Sequence, residues 1–277
     1  MNGIKPTKLE LIEKEYIWGK EEWLLSDLHE GYENVPLLIK RIIAKDSLSV
    51  QVHPSDAYAR KNENSNGKTE MWYVLESEPG AHLYYGLKHQ ITANEFLKRI
   101  QNGTITEVCQ KVPVKKGDVF YIPAGLVHAI GKGITILEVQ QSSDITYRVY
   151  DYQREDKYHN QRELHIRQAA EVAGFLPPLQ GHRPMGICKK EREHDEMLLV
   201  QCQFFTVCYH HVKSIHHFPN NLNFLHIYVV KGEGCLCTKN GSLSIGTGES
   251  VYVPENMGGF EINGNLELLV SEVPKCN

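Results

Sequence analysis

Two histidines, a glutamine and a glutamate stand where they could hold a metal ion. Ser49-Val-Gln51-Val-His53 alternates strictly, so Ser49, Gln51 and His53 share one strand face and Leu48, Val50 and Val52 the other. A whole polar row facing inward is costly unless it binds something. Lys68 and Glu70 lie on a common face where Gly67-Lys-Thr-Glu70 enters the apolar run Met71-Trp-Tyr-Val-Leu75. His128 ends the segment Gly117-Asp-Val-Phe-Tyr-Ile-Pro123-Ala-Gly125-Leu-Val-His128, which reads as a strand, a tight turn and a second strand. Three or four nitrogen and oxygen donors converging on one point suit a divalent ion such as zinc.

The elements that must position these groups are mostly strands. Val112 to Tyr121, Ile134 to Gln140 and Thr146 to Asp151 carry strand patterns, with Glu138 and Gln140 on one face, and likewise Thr146 and Arg148. Residues 92–100 predict a helix, with Thr92 as cap, Glu95 in the capping box, and Phe96, Leu97 and Ile100 as its apolar stripe. A second helix is expected over about 163–173, stopped by Gly174, followed by a connector from Pro177-Pro178 to Pro184. Residues 56–67 read as a polar loop, and residues 1–45 as a mixed irregular and short-helical lid. The expected layout is therefore a lid over 1–45, a metal-binding unit over 46–180 and a strand-rich unit over 181–277.

The 277 residues suffice for one large or two smaller cores. A formal charge of −4 provides no global basic field for nucleic acid, and no run of about 18 apolar residues predicts a membrane span. Met1 is followed by Asn-Gly-Ile-Lys-Pro-Thr-Lys without an apolar leader core, so a soluble, cytoplasmic protein is expected. The seven cysteines are scattered, with no Cys-x-x-Cys pair, which argues against a disulfide framework. The pairs His210-His211 and His216-His217 point to opposite strand faces and are read as surface or satisfied core residues rather than ligands.

The Gly117, Pro123, Gly125 and His128 spacing resembles the second histidine motif of the cupin barrels. Gly248-Glu-Ser-Val-Tyr-Val-Pro254-Glu-Asn256-Met-Gly-Gly259 repeats it, with Asn256 for the turn glycine and Gly259 for the histidine. Leu225-His-Ile-Tyr228 likewise matches Glu70-Met-Trp-Tyr73, with leucine for the glutamate. The fold class expected is mainly β: two cupin-type, jelly-roll barrels with a few inserted and linking helices, the first furnished with ligands and the second degenerate.

Ser-Val-Gln-Val-His-Pro (49–54), Gly-Lys-Thr-Glu-Met-Trp-Tyr (67–73), Ile-Pro-Ala-Gly-Leu-Val-His-Ala-Ile (122–130), Thr146-Tyr-Arg-Val-Tyr-Asp-Tyr and Arg162-Glu-Leu-His-Ile together resemble the type I mannose-6-phosphate isomerases, most closely the short bacterial forms. The likeness runs from about Pro36 to the C-terminus. Trp18-Gly19-Lys20 stands where that family usually has Trp-Gly-Gly, and Gln51 follows after a shorter stretch than usual.

The resemblance implies one zinc ion per chain, held by Gln51, His53, Glu70 and His128, with Arg148 as an active-site cation. It also implies interconversion of mannose 6-phosphate and fructose 6-phosphate. That reaction moves a proton between C1 and C2 through an enediol, whose oxygen charge a metal and an arginine can stabilise. Glu138 and Lys68 are the candidate proton carriers, on the expectation that burial raises the carboxylate's pKa and lowers the amine's. Ser49 could bond the substrate phosphate, with Lys68 or Arg154 complementing its charge. Asp151 is expected to hold a neighbouring basic side chain, and Trp18 and Trp72 to pack. Two other readings stand beside this one: a cupin that binds a sugar or sugar phosphate without turnover, and an iron oxygenase. The donor set Gln-His-Glu-His departs from the two-histidine, one-carboxylate site that oxygen chemistry favours. Oligomeric state is left open.

Overall fold

The computed structural model describes residues 5–32, 34–179, 181–219 and 223–274. The chain forms two compact units, one of residues 13–23 and 38–182, the other of residues 1–12, 24–37 and 183–277. No helix among the described residues is long and apolar enough to cross a membrane, and no disulfide joins the six described cysteines.

The first unit is built on two antiparallel sheets. One has the strand order Tyr147–Tyr150, Val50–Val52, His128–Ile130, His82–Leu87, Cys109–Pro113. The other runs Ile12–Tyr16, Gly19–Leu25, Leu37–Ala44, Ile134–Gln141, Glu70–Ser77, Val119–Ile122. Alternation sends Ile42, Trp72, Val74 and Ile136 from one sheet, and Leu83, Tyr85 and Ile130 from the other, into a common buried cluster. The opposite face of the smaller sheet, with Val50, Val52, Ala129 and Val149, is covered by the helices Ala93–Gln101 and Ile166–Val172. Thr92 caps the first of these by accepting from the Glu95 amide at 3.1 Å, and Phe96 and Ile100 are its buried residues, as the stripe predicts.

Several elements differ from the sequence expectation. Residues 12–44 contribute three strands to the larger sheet where a lid of helical and irregular segments was expected, because Leu37–Ala44 lies inside the sheet and buries both faces. The polar stretch after Pro54 begins with a helix, Asp56–Asn62, started by Ser55, whose hydroxyl accepts from the Tyr58 amide. The strand expected over 112–121 is broken in two by a turn in which Asp118 Oδ2 accepts from the Lys115 amide at 2.8 Å and Gly117 takes φ +89°. The second long helix begins only at Ile166, because His165 is still paired to the Arg148 backbone on the neighbouring strand.

The second unit holds one nine-stranded antiparallel sheet in which the long strands Leu225–Thr238 and Phe260–Glu272 pair along most of their length. Its core includes Ile227, Val229, Leu236, Val251, Ile262 and Leu268. None of the three sheets closes on itself among the described residues. The repeated turn is legible in the backbone: Gly125 has φ +86° and Asn256, its counterpart, φ +58°. Asparagine is among the few residues that tolerate this left-handed conformation.

Candidate metal centre and polar cavity

The Val50–Val52 strand is the pivot of the site. Gln51 is in register with His128 on one side and with Arg148 on the other, so all three side chains emerge on the inward face of the small sheet. Glu70 comes from the facing sheet, where it opens its strand opposite Gln140. The loop before it is pinned: Asp56 Oδ1 accepts from the Gly67 amide and the Gln141 side chain, and Gln141 accepts from the Thr69 amide. A Cβ at Gly67 would lie 2.4 Å from the Asp56 nitrogen, so only glycine fits that approach.

His53, Glu70 and His128 thereby converge with their ligating atoms within 4.8 Å of one another. His53 Nε2 is 3.6 Å and His128 Nε2 3.4 Å from the two oxygens of Glu70. Each ring is fixed from behind. His53 Nδ1 donates to the Ile145 carbonyl and His128 Nδ1 to the Leu126 carbonyl, both at 2.8 Å, which leaves the Nε2 lone pairs facing inward. Gln51 reaches His128 Nε2 with its amide at 3.3 Å, and that amide can turn either end to the same point.

His53 Nε2 and Glu70 Oε1 are buried with no hydrogen-bond partner, and Glu70 Oε2 pairs only with the Lys68 ammonium, at 3.1 Å. Groups of this kind are costly to bury without a counter-charge. Burial holds both imidazoles below their ordinary pKa, His128 at about 4, and burial together with Glu138 pushes the Glu70 carboxyl up to about 8. A divalent cation at this point would satisfy the orphaned atoms and draw Glu70 back to its ionised form. The donor set therefore fits such an ion.

Beside this cluster opens a polar cavity of about 260 Å³. Ser49, Gln51, Lys68, Glu138 and Arg148 all line it, joined by Tyr16, Glu21, Lys40, Asp144 and Arg162, which sequence reasoning did not assign. Lys68 Nζ pairs with Glu70 Oε2 at 3.1 Å. Arg148 donates through one terminal nitrogen to the Glu163 carbonyl at 2.8 Å, and its Nε is buried without a partner. Arg154, expected at the substrate phosphate, does not line this cavity: Asp151 holds it at 2.6 Å, with Asp46 at 3.5 Å. Asp151 also grips Arg162 through both oxygens, at 2.6 and 2.7 Å, as its expected role requires. Trp72 is fully buried and packs, donating its Nε1 to Glu138 at 2.9 Å, whereas Trp18 both packs and borders the cavity.

Glu138 departs from expectation in its electrostatics. Burial raises its pKa, but Lys68 and Lys40, helped by the Trp72 donor, outweigh burial and hold the carboxyl below its ordinary value. Lys40 stands 3.4 Å from Glu138 and 3.5 Å from Glu21, itself almost wholly buried. Alternation puts Lys40 with Leu38 and Ile42 and Arg41 with Leu37, Ile39 and Ile43, so spacing alone does not single out Lys40. Replacing Lys40 with methionine should leave two carboxylates without their shared cation. The expected cost is about 3–5 kcal/mol, visible as a lower urea midpoint.

The model for the cupin domain of mannose-6-phosphate isomerase matches residues 195–273. The mannose-6-phosphate isomerase of Streptococcus mutans is 38% identical over 242 residues, covering 87% of this chain and 75% of the relative. That of Bacillus subtilis is 36% identical over 265 residues, covering 93% and 80% respectively. A crystal structure of a mannose 6-phosphate isomerase from Bacillus subtilis superposes with a TM-score of 0.88 at 28% identity, covering 97% of this chain and 99% of the other. A zinc-bound mannose 6-phosphate isomerase, at 14% identity and TM-score 0.70 over 98% of this chain and all of its own, shares the fold. On these identities and this coverage, the chain belongs to the mannose-6-phosphate isomerase family.

Proposed function

We propose that this chain is a zinc-dependent aldose–ketose isomerase that interconverts mannose 6-phosphate and fructose 6-phosphate, with Gln51, His53, Glu70 and His128 as the ligands of one zinc ion. The observation that carries the reading is the pair of orphaned ligand atoms, His53 Nε2 and Glu70 Oε1, buried against one another beside a cavity rich in cations. Zinc, when bound, supplies a Lewis acid that polarises the sugar carbonyl.

The remaining roles belong to the cavity's own side chains. Arg148 places a permanent positive charge beside Gln51 and stabilises oxygen charge in the enediol. Glu138, kept ionised by Lys68 and Lys40, accepts the proton at carbon, and Lys68 serves as the facing donor. Ser49 and Arg162 bind the phosphate, Arg162 replacing Arg154 in that role because it lines the cavity. Each of the two units is a cupin-type jelly roll, and the second lacks the ligands because Leu225 and Gly259 replace Glu70 and His128. The non-catalytic sugar-binding alternative gives no reason for an arginine and a carboxylate both to border the donor cluster.

A coupled assay for fructose 6-phosphate formation from mannose 6-phosphate, run before and after chelation, tests the reading. Turnover that is lost on chelation and returns with zinc is expected. A zinc-loaded protein without turnover would sink it in favour of a binding protein.

Acid stability should report the Asp151 clamp. Burial raises the Asp151 pKa, but Arg162 and Arg154 outweigh it and depress the folded value below 3.8. Its stabilisation is thus fully present above the unfolded value and is lost as pH falls through the folded one. Between pH 5 and 3, in roughly the range of unperturbed carboxylates, Asp151→Asn should lose less melting temperature than the wild type. Parallel acid limbs in the two proteins would refute the clamp.

A further inference from the structure

The three histidines His194, His210 and His216 are scattered in sequence but meet in the C-terminal unit. His194 and Glu196 alternate on the strand His194–Gln201, Cys208 and His210 on Thr206–Val212, and Glu196 is in register with His210. His216 enters from the short strand Ile215–Phe218. The sequence reading of His210 and His216 as surface or satisfied residues considered each with its chain neighbour, whereas the sheet joins each to histidines from other strands.

Their geometry is that of a compact donor set. One ligating nitrogen from each ring lies within 4.8 Å of the others. His194 Nε2 and His210 Nδ1 are 2.8 Å apart, and the His194 and His216 rings stack with centroids 3.6 Å apart. His194 and His210 are almost wholly buried, while His216 is partly exposed at a cavity of about 280 Å³ that Glu196, Cys208 and His210 also line. Burial and the neighbouring rings hold His210 at about 3 and His216 at about 4, so the imidazoles are neutral at pH 7.

We propose that His194, His210 and His216 form a second divalent-metal site, independent of the Gln51-His53-Glu70-His128 centre, for an imidazole-binding transition ion such as zinc or cobalt. Three neutral nitrogens with a fourth position open to a cavity suit those ions and not magnesium or calcium, which require oxygen donors. The His194–His210 contact must hold one proton between its two nitrogens. Moving that proton to the far nitrogen of the same ring frees both lone pairs without net proton release. Zinc–nitrogen bonds of about 2.0–2.1 Å place tetrahedral ligands about 3.3 Å apart, so this pair must open by only about half an ångström. The ligating atoms of Cys208 and Glu196 also group with His210.

The test is metal stoichiometry of the full chain, stripped with chelator, reloaded with micromolar zinc, desalted and measured by plasma emission. Two ions per chain are expected for the wild type, and one each for His128→Ala and His210→Ala. His216→Ala, a substitution at the partly exposed ring, should also hold one and guards against misfolding of the buried variant. Cobalt bound to His128→Ala should give the visible absorption of a nitrogen-ligated tetrahedral ion, and His216→Ala should lose that share of the spectrum. One ion in the wild type with none in His128→Ala, or a second ion bound only at millimolar zinc, overturns the proposal. One ion lost in His210→Ala but none in His128→Ala would instead overturn the first-site assignment and leave this one standing.

Discussion

His128→Ala is expected to reduce isomerase turnover by roughly 10³-fold or more, the several kcal/mol that a Lewis acid contributes to a charged transition state. The same variant should lose one zinc per chain. The ring is wholly buried, its Nδ1 committed to the Leu126 carbonyl and its Nε2 facing Glu70 at 3.4 Å. Removing it takes away a ligand and also releases Gln51, whose amide reaches that same nitrogen. Because Trp72 packs on the ring with centroids 5.2 Å apart, the truncation leaves a void, so thermal melting must be compared. His128→Leu, which fills more of the space without offering a donor atom, should be equally inactive if ligation is what matters. Metal analysis beside the coupled assay checks the prediction, and full metal content with full turnover in either variant would remove His128 from the site.

Arg148→Ala should separate chemistry from metal binding. Removal of a single preorganised charge at a developing oxyanion costs about 10²–10³-fold in kcat, and zinc content should stay at the wild-type value. The guanidinium hangs from a strand whose backbone is paired to Gln51 and to His165, so truncating it leaves the ligand strand in register. The side chain lines the cavity, and its Nε is buried and unpartnered. Burial, then Arg162, lowers its pKa, yet an arginine remains charged across the physiological range. Arg148→Lys should recover only part of the loss, since an ammonium cannot reproduce the planar fork. Loss of zinc in Arg148→Ala would show instead that the residue holds the ligand strand in place.

The strands that carry the ligands were legible in sequence because alternation is local. Ser49, Gln51 and His53 announce one polar face by spacing alone, and Thr92 with Glu95 announces a helix start by its capping chemistry. Other elements were not legible because their determinants are distant. The Leu37–Ala44 strand is identified by being buried within a sheet, and the late start of the second helix is set by the pairing of His165 to Arg148. For Glu138, burial was inferred correctly and its consequence was not, since the two lysines that reverse the shift come from separate segments.

The sequence by itself singled out the candidate donors, the faces they share along each strand and the family to which the chain belongs. Covalent spacing and side-chain chemistry are enough for that. Only the tertiary structure decided which polar side chains meet: Lys40 with Glu138, Asp151 with Arg162, and His194 with His210 and His216. Strand pairing and sheet packing bring together residues that are remote in sequence, and electrostatic effects depend on those distances and on the burial that packing imposes.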